Sequence, residues 1–285
     1  LETTLQLVLA GILQGGVYAL AAIGLSLSLG LMGGVNLTHG EWVMLGALGT
    51  WLLAKTGAPL LLAIPASCAA VGVLAFMVYA LVIKRAFSVP QDMLTRTSLL
   101  ATLGLAFLIQ ESAAFAADQP LWSLFAPGAV LRLGPFRVSS VRIVMAALLA
   151  LSCVAVWIAL NRSDWGRAAR AAIADRGMAA LMGVPVRGLQ GVIFALSSAL
   201  AALAGGFSVL LFSAWPRMGL PLAIKCLFIV MLGRAGSVRA PIIGGLFMGL
   251  TESLFSALGD GRWAGPASLS ILLIAVALKE RVARS

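Results

Sequence analysis

The stretch LQLVLAGILQGGVYALAAIGLSLSL, Leu5 to Leu29, contains no charged side chain, and no charge falls anywhere between Glu2 and Glu41. A helix needs ~20 apolar residues to cross a hydrocarbon layer of ~30 Å, and this run exceeds that length. It ends at a glycine-rich break, Gly30-Leu-Met-Gly33-Gly34. Eight further predominantly apolar segments follow, some shorter and some holding a single charge: 41–54, 60–83, 97–117, 143–160, 191–212, 220–233, 241–258 and 267–278. The predicted fold class is therefore all-α: a polytopic transmembrane helical bundle of about eight to nine spans, with 220–233 and 267–278 short enough to be re-entrant. The chain reads as one transmembrane domain, 1–285, with the segment 161–190 outside the membrane and a Pro/Gly-bearing loop through Asp118, Pro120, Pro127, Gly134 and Pro135.

Composition excludes the main alternatives. Of 285 residues, 61% are hydrophobic and 11% charged, with mean hydropathy +1.05; soluble domains carry about 25% charged residues. A compact soluble fold could not cover that apolar surface, so lipid must. Twenty Lys plus Arg against ten Asp plus Glu would suggest nucleic acid on a soluble protein, but here topology accounts for the excess and no nucleic-acid partner is expected. With nine crossings, one side collects Lys84, Arg85, Arg96, Arg162, Arg167, Arg170, Arg176, Arg187, Arg234, Arg239, Lys279, Arg281 and Arg284. The other has Lys55, Arg132, Arg137, Arg142, Arg217 and Arg262, leaving Lys225 inside a span. The positive-inside rule makes the first side cytoplasmic, with the N-terminus outside and the C-terminus inside.

No catalytic or metal motif is present. None of the four lysines follows a glycine, so there is no phosphate-binding loop and any ATP must be hydrolysed elsewhere. One histidine, His39, and three dispersed cysteines, Cys68, Cys153 and Cys226, give no metal-ligand spacing. No catalytic residue, metal or cofactor is expected in this chain. Four charged residues fall within or at the edge of apolar segments: Glu41, Glu111, Lys225 and Glu252. A charge at a span centre costs ~2.5–3.5 kcal/mol, so each needs a partner, a cavity or an interface. Thr38-His-Gly-Glu41 has the form of a capping box, Glu111 lies near water at a span end, and Lys225 with Glu252 can form a bridge between neighbouring spans. A proton relay through Glu111 or Glu252 would instead make a gradient-driven secondary transporter or channel. Small residues at four-residue spacing, Gly11/Gly15, Gly30/Gly34, Ser197/Ala201/Gly205 and Gly245/Gly249, predict close helix crossings.

The basic segment 161–190 predicts a surface helix from Trp165 to Met182, capped by Ser163 or Asp164 and ended by Gly183 and Pro185. Its alanine-rich body, with Arg167, Arg170 and Met178, suits either a solvated loop or a helix docked in a partner's groove.

Three stretches resemble the LivH-type membrane permease subunits of ATP-binding-cassette importers for branched-chain amino acids, a group similar to the urea and amide permeases. They are Gln14 to Leu20 with Gly24 and Asn36-Leu-Thr-His-Gly-Glu41 through Gly46; Arg170 to Val184; and Gly233-Arg-Ala-Gly-Ser-Val-Arg-Ala-Pro-Ile-Ile-Gly-Gly245. The resemblance implies a non-enzymatic permease subunit that pairs with a second homologous permease. Two cytoplasmic ATPases carrying ATP and Mg, an extracytoplasmic solute-binding protein and membrane lipid complete its surroundings. It also implies coupling to the ATPases through Arg167, Arg170, Asp175, Met178 and Gly183. Gln14, Tyr18, Asn36 and His39 are expected along the solute path, near the glycine-rich break. Relatives carry urea, short amides, other amino acids or aromatic acids, and the sequence does not select among them.

Overall fold

A computed structural model describes residues 2–117, 120–125, 129–133, 136–258 and 261–284. Each of the nine apolar segments is a helix. In chain order the elements are α1 (Glu2–Met32), α2 (His39–Lys55), α3 (Leu60–Val78), a π-helical turn (Tyr79–Ile83), the single turn α4 (Lys84–Ala86) and α5 (Gln91–Ala116). Then come strands β1 (Val130–Leu133) and β2 (Phe136–Ser139), α6 (Ser140–Arg162), α7 (Asp164–Ala174) and α8 (Arg176–Leu181). The last four are α9 (Val186–Leu211), α10 (Gly219–Met231), α11 (Arg239–Leu258) and α12 (Ala264–Arg284).

Six helical stretches among the described residues are long and apolar enough to cross a membrane: Gln6–Met32, Leu60–Ala86, Asp92–Ala116, Ser140–Arg162, Val186–Leu211 and Arg239–Leu258. The helices of α2 and α10 are shorter, at 17 and 13 residues. Both start inside the bundle. His39, the first residue of α2, bonds Ala21 near the middle of α1, and Gly40 lies directly against Gly219, the first residue of α10.

The packing repeats itself. α1 packs on α9 and α11, and α9 packs on α1 and α3. α2 lies on α9 as α10 lies on α1, while α3 joins α2 as α11 joins α10. Each half therefore contains a long helix, a short non-helical connection (33–38 or 212–218) and a short helix. α1 ends at the basic end of the bundle, where Gly33 meets Arg176; α9 starts there, just after Gly183. The two halves run in opposite senses, an arrangement that brings discontinuous helices together at the bundle centre.

Backbone proximity holds this centre together, because lipid tails are as apolar as leucine and give no hydrophobic drive to helix pairing. Three of the four predicted small-residue stripes are helix crossings; Gly30 instead meets the backbone of Gly236 between α10 and α11, and Gly34, beyond the end of α1, meets Phe87 and Ser98. A Cβ on Gly15 would stand 2.7 Å from the Leu246 Cα, and one on Gly249 would run into the Gly15 backbone. Gly46 abuts Ala202 and Gly205 abuts Val43, joining α2 to α9, and the Ser197 hydroxyl donates to the Gly24 carbonyl at 2.6 Å.

Two local expectations fail. The stretch before α6 is not wholly irregular: Val130–Leu133 pairs antiparallel with Phe136–Ser139, Val130 opposite Ser139 and Arg132 opposite Arg137. Alternation of apolar and polar residues on both sides of Gly134-Pro135 is a hairpin pattern. Asp118, Pro127, Gly134 and Pro135 themselves lie outside the described residues. Nor does α1 break at Gly30. It continues to Met32, and Gly33, at φ +66°, makes the turn.

Candidate functional site

The helices α1, α10 and α11 converge on one polar cluster. Gln14 and Tyr18 lie one turn apart on α1, facing Lys225 of α10 and Glu252 of α11. The Tyr18 hydroxyl donates to Glu252 Oε2 at 2.7 Å and accepts from Gln14 Nε2 at 2.8 Å and Lys225 Nζ at 3.0 Å. Lys225 Nζ also donates to Glu252 Oε1 at 2.7 Å and sits 4.9 Å from the centre of the Tyr18 ring. Only 13% and 12% of the Lys225 and Glu252 side chains are exposed. An ion pair so screened from water needs further hydrogen bonds to offset its lost hydration; the Tyr18 hydroxyl bonds both members, and Gln14 in turn donates to Tyr18.

This cluster floors a cavity of about 220 Å³. Val17, Phe212, Trp215, Met218, Pro221 and Leu222 wall it, with Ser208 and Ser213 beside them. The stretch 212–218 joins α9 to α10 at the end of the bundle opposite α7 and α8, so the cavity lies in the half of the bundle away from the basic end. No local motif marks Ser208, Trp215, Met218 or Leu222; the one hint is the polar and aromatic interruption, Phe212 to Met218, between two apolar runs.

The other predicted path residues form a separate group where α2 meets α10. Asn36, His39 and Glu41 are 2%, 0% and 0% exposed. His39 Nε2 bonds the Ala21 carbonyl at 2.8 Å, while its Nδ1 has no partner. Thr38 is not the head of a capping box. Its backbone is helical, its hydroxyl turns back to donate to Asn36 Oδ1 at 2.5 Å, and no side chain caps α2. Glu41 is drawn away because its carboxylate lies against Gly219 and faces the Leu220 amide, although neither oxygen completes a hydrogen bond. Two helix N-termini meet here, each carrying partial positive charge, and a carboxylate between them offsets their repulsion. Glu111 is not in the interior at all. It is exposed near the end of α5 and sits 3.6 Å from Arg217, a pair that water screens.

At the basic end, the predicted surface helix is two helices. Ser163 caps α7 by accepting from the Gly166 N–H at 3.0 Å. The chain then breaks at Asp175, whose extended backbone ends α7 and whose side chain accepts from the Met178 N–H at 3.0 Å to start α8. An aspartate favours exactly such a cap over a helix interior because its carboxylate competes for backbone N–H groups. Gly183, at φ +84°, closes α8, with the Val184 N–H donating back to the Ala179 carbonyl. Arg167 pairs with Asp164, and Arg170 donates to the Leu160 carbonyl at the end of α6. Met178, Leu181 and Met182 around α8, and Trp165 on α7, are all exposed large apolar side chains outside the spans.

Residues 7–278 match the family described as branched-chain amino acid transport system / permease component. The chain is 28% identical to the high-affinity branched-chain amino acid transport system permease protein LivH of Escherichia coli K12, over 95% of this chain and 92% of that protein. It is 25% identical to the corresponding permease protein BraD of Pseudomonas aeruginosa, over the same shares of each. A solved structure, PsaBC from Streptococcus pneumoniae in complex with Fab, is similar at a TM-score of 0.49 and 14% identity, covering 93% of this chain and 89% of that one.

Proposed function

Since this chain belongs to the branched-chain amino acid transport permease family, and is thus a multi-pass membrane permease rather than an enzyme, we propose that it is one membrane half of an ATP-driven importer for an apolar amino acid. In this reading the whole of 1–285 is one permease domain. A second, homologous permease completes the path, a solute-binding protein delivers the amino acid to the cavity end, and two ATPases holding ATP and Mg dock on the basic end. No cofactor belongs to this chain. The orientation follows the basic residues: N-terminus outside and C-terminus in the cytoplasm of a bacterial inner membrane.

The observation that best supports this reading is the placement of α7 and α8. They lie at the basic end, packed on α1, α6 and α9, and present Met178, Leu181 and Met182 outward. A push on these helices reaches the end of α1 through Arg176 against Gly33, and the connection between α10 and α11 through Ile173 against Gly236. Arg167, Arg170, Asp175, Met178 and Gly183 are the coupling residues in this view: Asp175 and Gly183 shape the two turns, and Met178 is contact surface. Gln14 and Tyr18 belong to the solute path. Asn36 and His39 act behind it, where the two short helices meet.

The test is uptake of radiolabelled L-leucine by cells carrying this chain with the ATPases, second permease and binding protein encoded beside it. Uptake should stop when ATP is depleted while the proton gradient is maintained. Uptake that persists in ATP-free liposomes containing only this chain would instead establish a gradient-driven carrier.

A further inference from the structure

The Lys225–Glu252 pair has unused bonding capacity on the side that meets a cavity. An ammonium has three N–H donors; Lys225 commits one to Tyr18 and one to Glu252, leaving one. Each Glu252 oxygen accepts one hydrogen bond, Oε1 from Lys225 and Oε2 from Tyr18, so each keeps a free lone pair. Tyr18, with one bond donated and two accepted, has nothing left. What faces the cavity is thus one donor on a cation and two acceptor sites on an anion.

That residue of valences complements a zwitterion. A carboxylate takes the remaining Lys225 N–H, and an ammonium on the adjacent carbon takes the Glu252 lone pairs, so the four charges alternate in sign. The walls fit the rest of such a molecule. Val17, Phe212, Trp215, Met218 and Leu222 are apolar, and a volume of about 220 Å³ lies below the ~300–1,000 Å³ typical of drug-sized ligands. A solute bearing only one charge would leave the other member of the pair unmatched, and a large or strongly polar side chain would have neither room nor partners.

We infer that Lys225 and Glu252, held by Tyr18 and Gln14, are the acceptor for the charged ends of a small apolar amino acid in transit, with the side chain lying against Phe212, Trp215 and Leu222. This inference rests on the importer reading and assigns its solute site. The pair is then a counterpart for the solute as well as a brace between α10 and α11.

The test is solute protection of a reporter thiol, made alongside uptake. In membranes containing the assembled importer, Ser208→Cys is modified with a small methanethiosulfonate reagent. The rate is taken as the increment over the parent chain, which keeps its own three cysteines, and Ser213→Cys at the mouth serves as the labelling control. Saturating L-leucine should slow modification of Ser208→Cys at least several-fold. Isoamylamine and 4-methylpentanoate, each lacking one of leucine's charges, should not. The double exchange Lys225→Glu/Glu252→Lys keeps a brace but reverses its polarity against the apolar wall, so it should abolish protection while the chain remains in the membrane. Four outcomes would overturn the inference while leaving the importer reading intact: no protection in a chain that imports leucine, equal protection by all three compounds, protection surviving the charge exchange, or an unreactive Ser208→Cys variant beside a reactive Ser213→Cys. Absence of ATP-dependent uptake of any apolar amino acid by the unmodified assembly would overturn the reading itself.

Discussion

Two polar clusters lie inside this bundle and they are built on opposite principles. In the cluster of Gln14, Tyr18, Lys225 and Glu252, every charge is paired and open space adjoins it. In the cluster of Asn36, His39 and Glu41, side chains answer helix ends and backbone. Asn36 Nδ2, His39 Nδ1 and both Glu41 oxygens lack hydrogen-bond partners, and Gly219 lies directly against the Glu41 carboxylate and against Gly40. With the solute at the cavity as inferred above, spare valence beside open space, rather than an unpartnered buried atom, is what marks its site. The second cluster carries a desolvation cost, and what it secures is the meeting of two helix N-termini at the centre of the bundle. One cluster is suited to receive a solute and the other to hold, or to move, the two short helices that frame it.

The comparison breaks hardest at the ion pair. Lys225→Ala or Glu252→Ala alone leaves a buried charge without its partner, which costs about 3–5 kcal/mol. Each single variant should lose both thermal stability in detergent and leucine uptake. The double variant Lys225→Met/Glu252→Met should recover most of the stability, since an apolar pair of similar volume replaces a buried bridge with little loss, but not the uptake. Recovered uptake in the double variant would reduce the cluster to a brace, making it the same kind of object as its neighbour.

The neighbouring cluster should respond in stability and gating rather than in solute choice. Glu41→Gln keeps the shape but removes the charge facing the two helix N-termini, an interaction worth up to ~2 kcal/mol when partly buried. A lowered melting temperature is expected, with the concentration of leucine that protects Ser208→Cys unchanged. A shift in that concentration would merge the two clusters into one site. Gly183→Ala is smaller in effect on the fold: the left-handed conformation at φ +84° costs a Cβ-bearing residue ~1–2 kcal/mol, and no atom lies within 4 Å of a Cβ placed there. It should reduce ATP-driven uptake while leaving leucine protection intact, which would separate coupling from binding.

Much of this arrangement is legible in the sequence. Absence of charge over Leu5 to Leu29 and its scarcity over the eight companion segments yield the helices, and the stripes Gly11/Gly15 and Gly245/Gly249 yield the crossing of α1 with α11, because close backbone approach in lipid requires small residues. Tyr18 and Gln14 are visible as polar residues in an apolar run, and Lys225 with Glu252 as charges needing each other. What is not legible is long-range geometry. Nothing local says that Tyr18 meets Glu252, 234 positions away, or that Glu41 turns from its own helix end to that of α10. The capping-box pattern at Thr38 fails for that reason: the tertiary partner of Glu41 outweighs the local one. The surface helix expected from Trp165 to Met182 divides at Asp175 because an aspartate there gains more as a cap than as a helical residue, a signal present in the sequence but weaker than the alanine-rich run around it.

Glu111 provides the smallest and most selective contrast. By sequence it belongs with Lys225 and Glu252 as a charge in an apolar run, and a gradient-driven carrier would use it as a proton site. In the structure it is exposed and pairs at 3.6 Å with Arg217, whose side chain is also exposed. Such pairs contribute ~0–1 kcal/mol because water screens the attraction and ordering two mobile side chains opposes it. Glu111→Gln should accordingly leave melting temperature and leucine uptake within error of the parent chain, and adding an uncoupler should not alter that result. A large loss of uptake would mean that a charge at the rim, rather than the pair at the cavity floor, carries the transport step. The distinction between the two interior clusters would then say nothing about where the solute passes, because the essential titrating group would lie outside both.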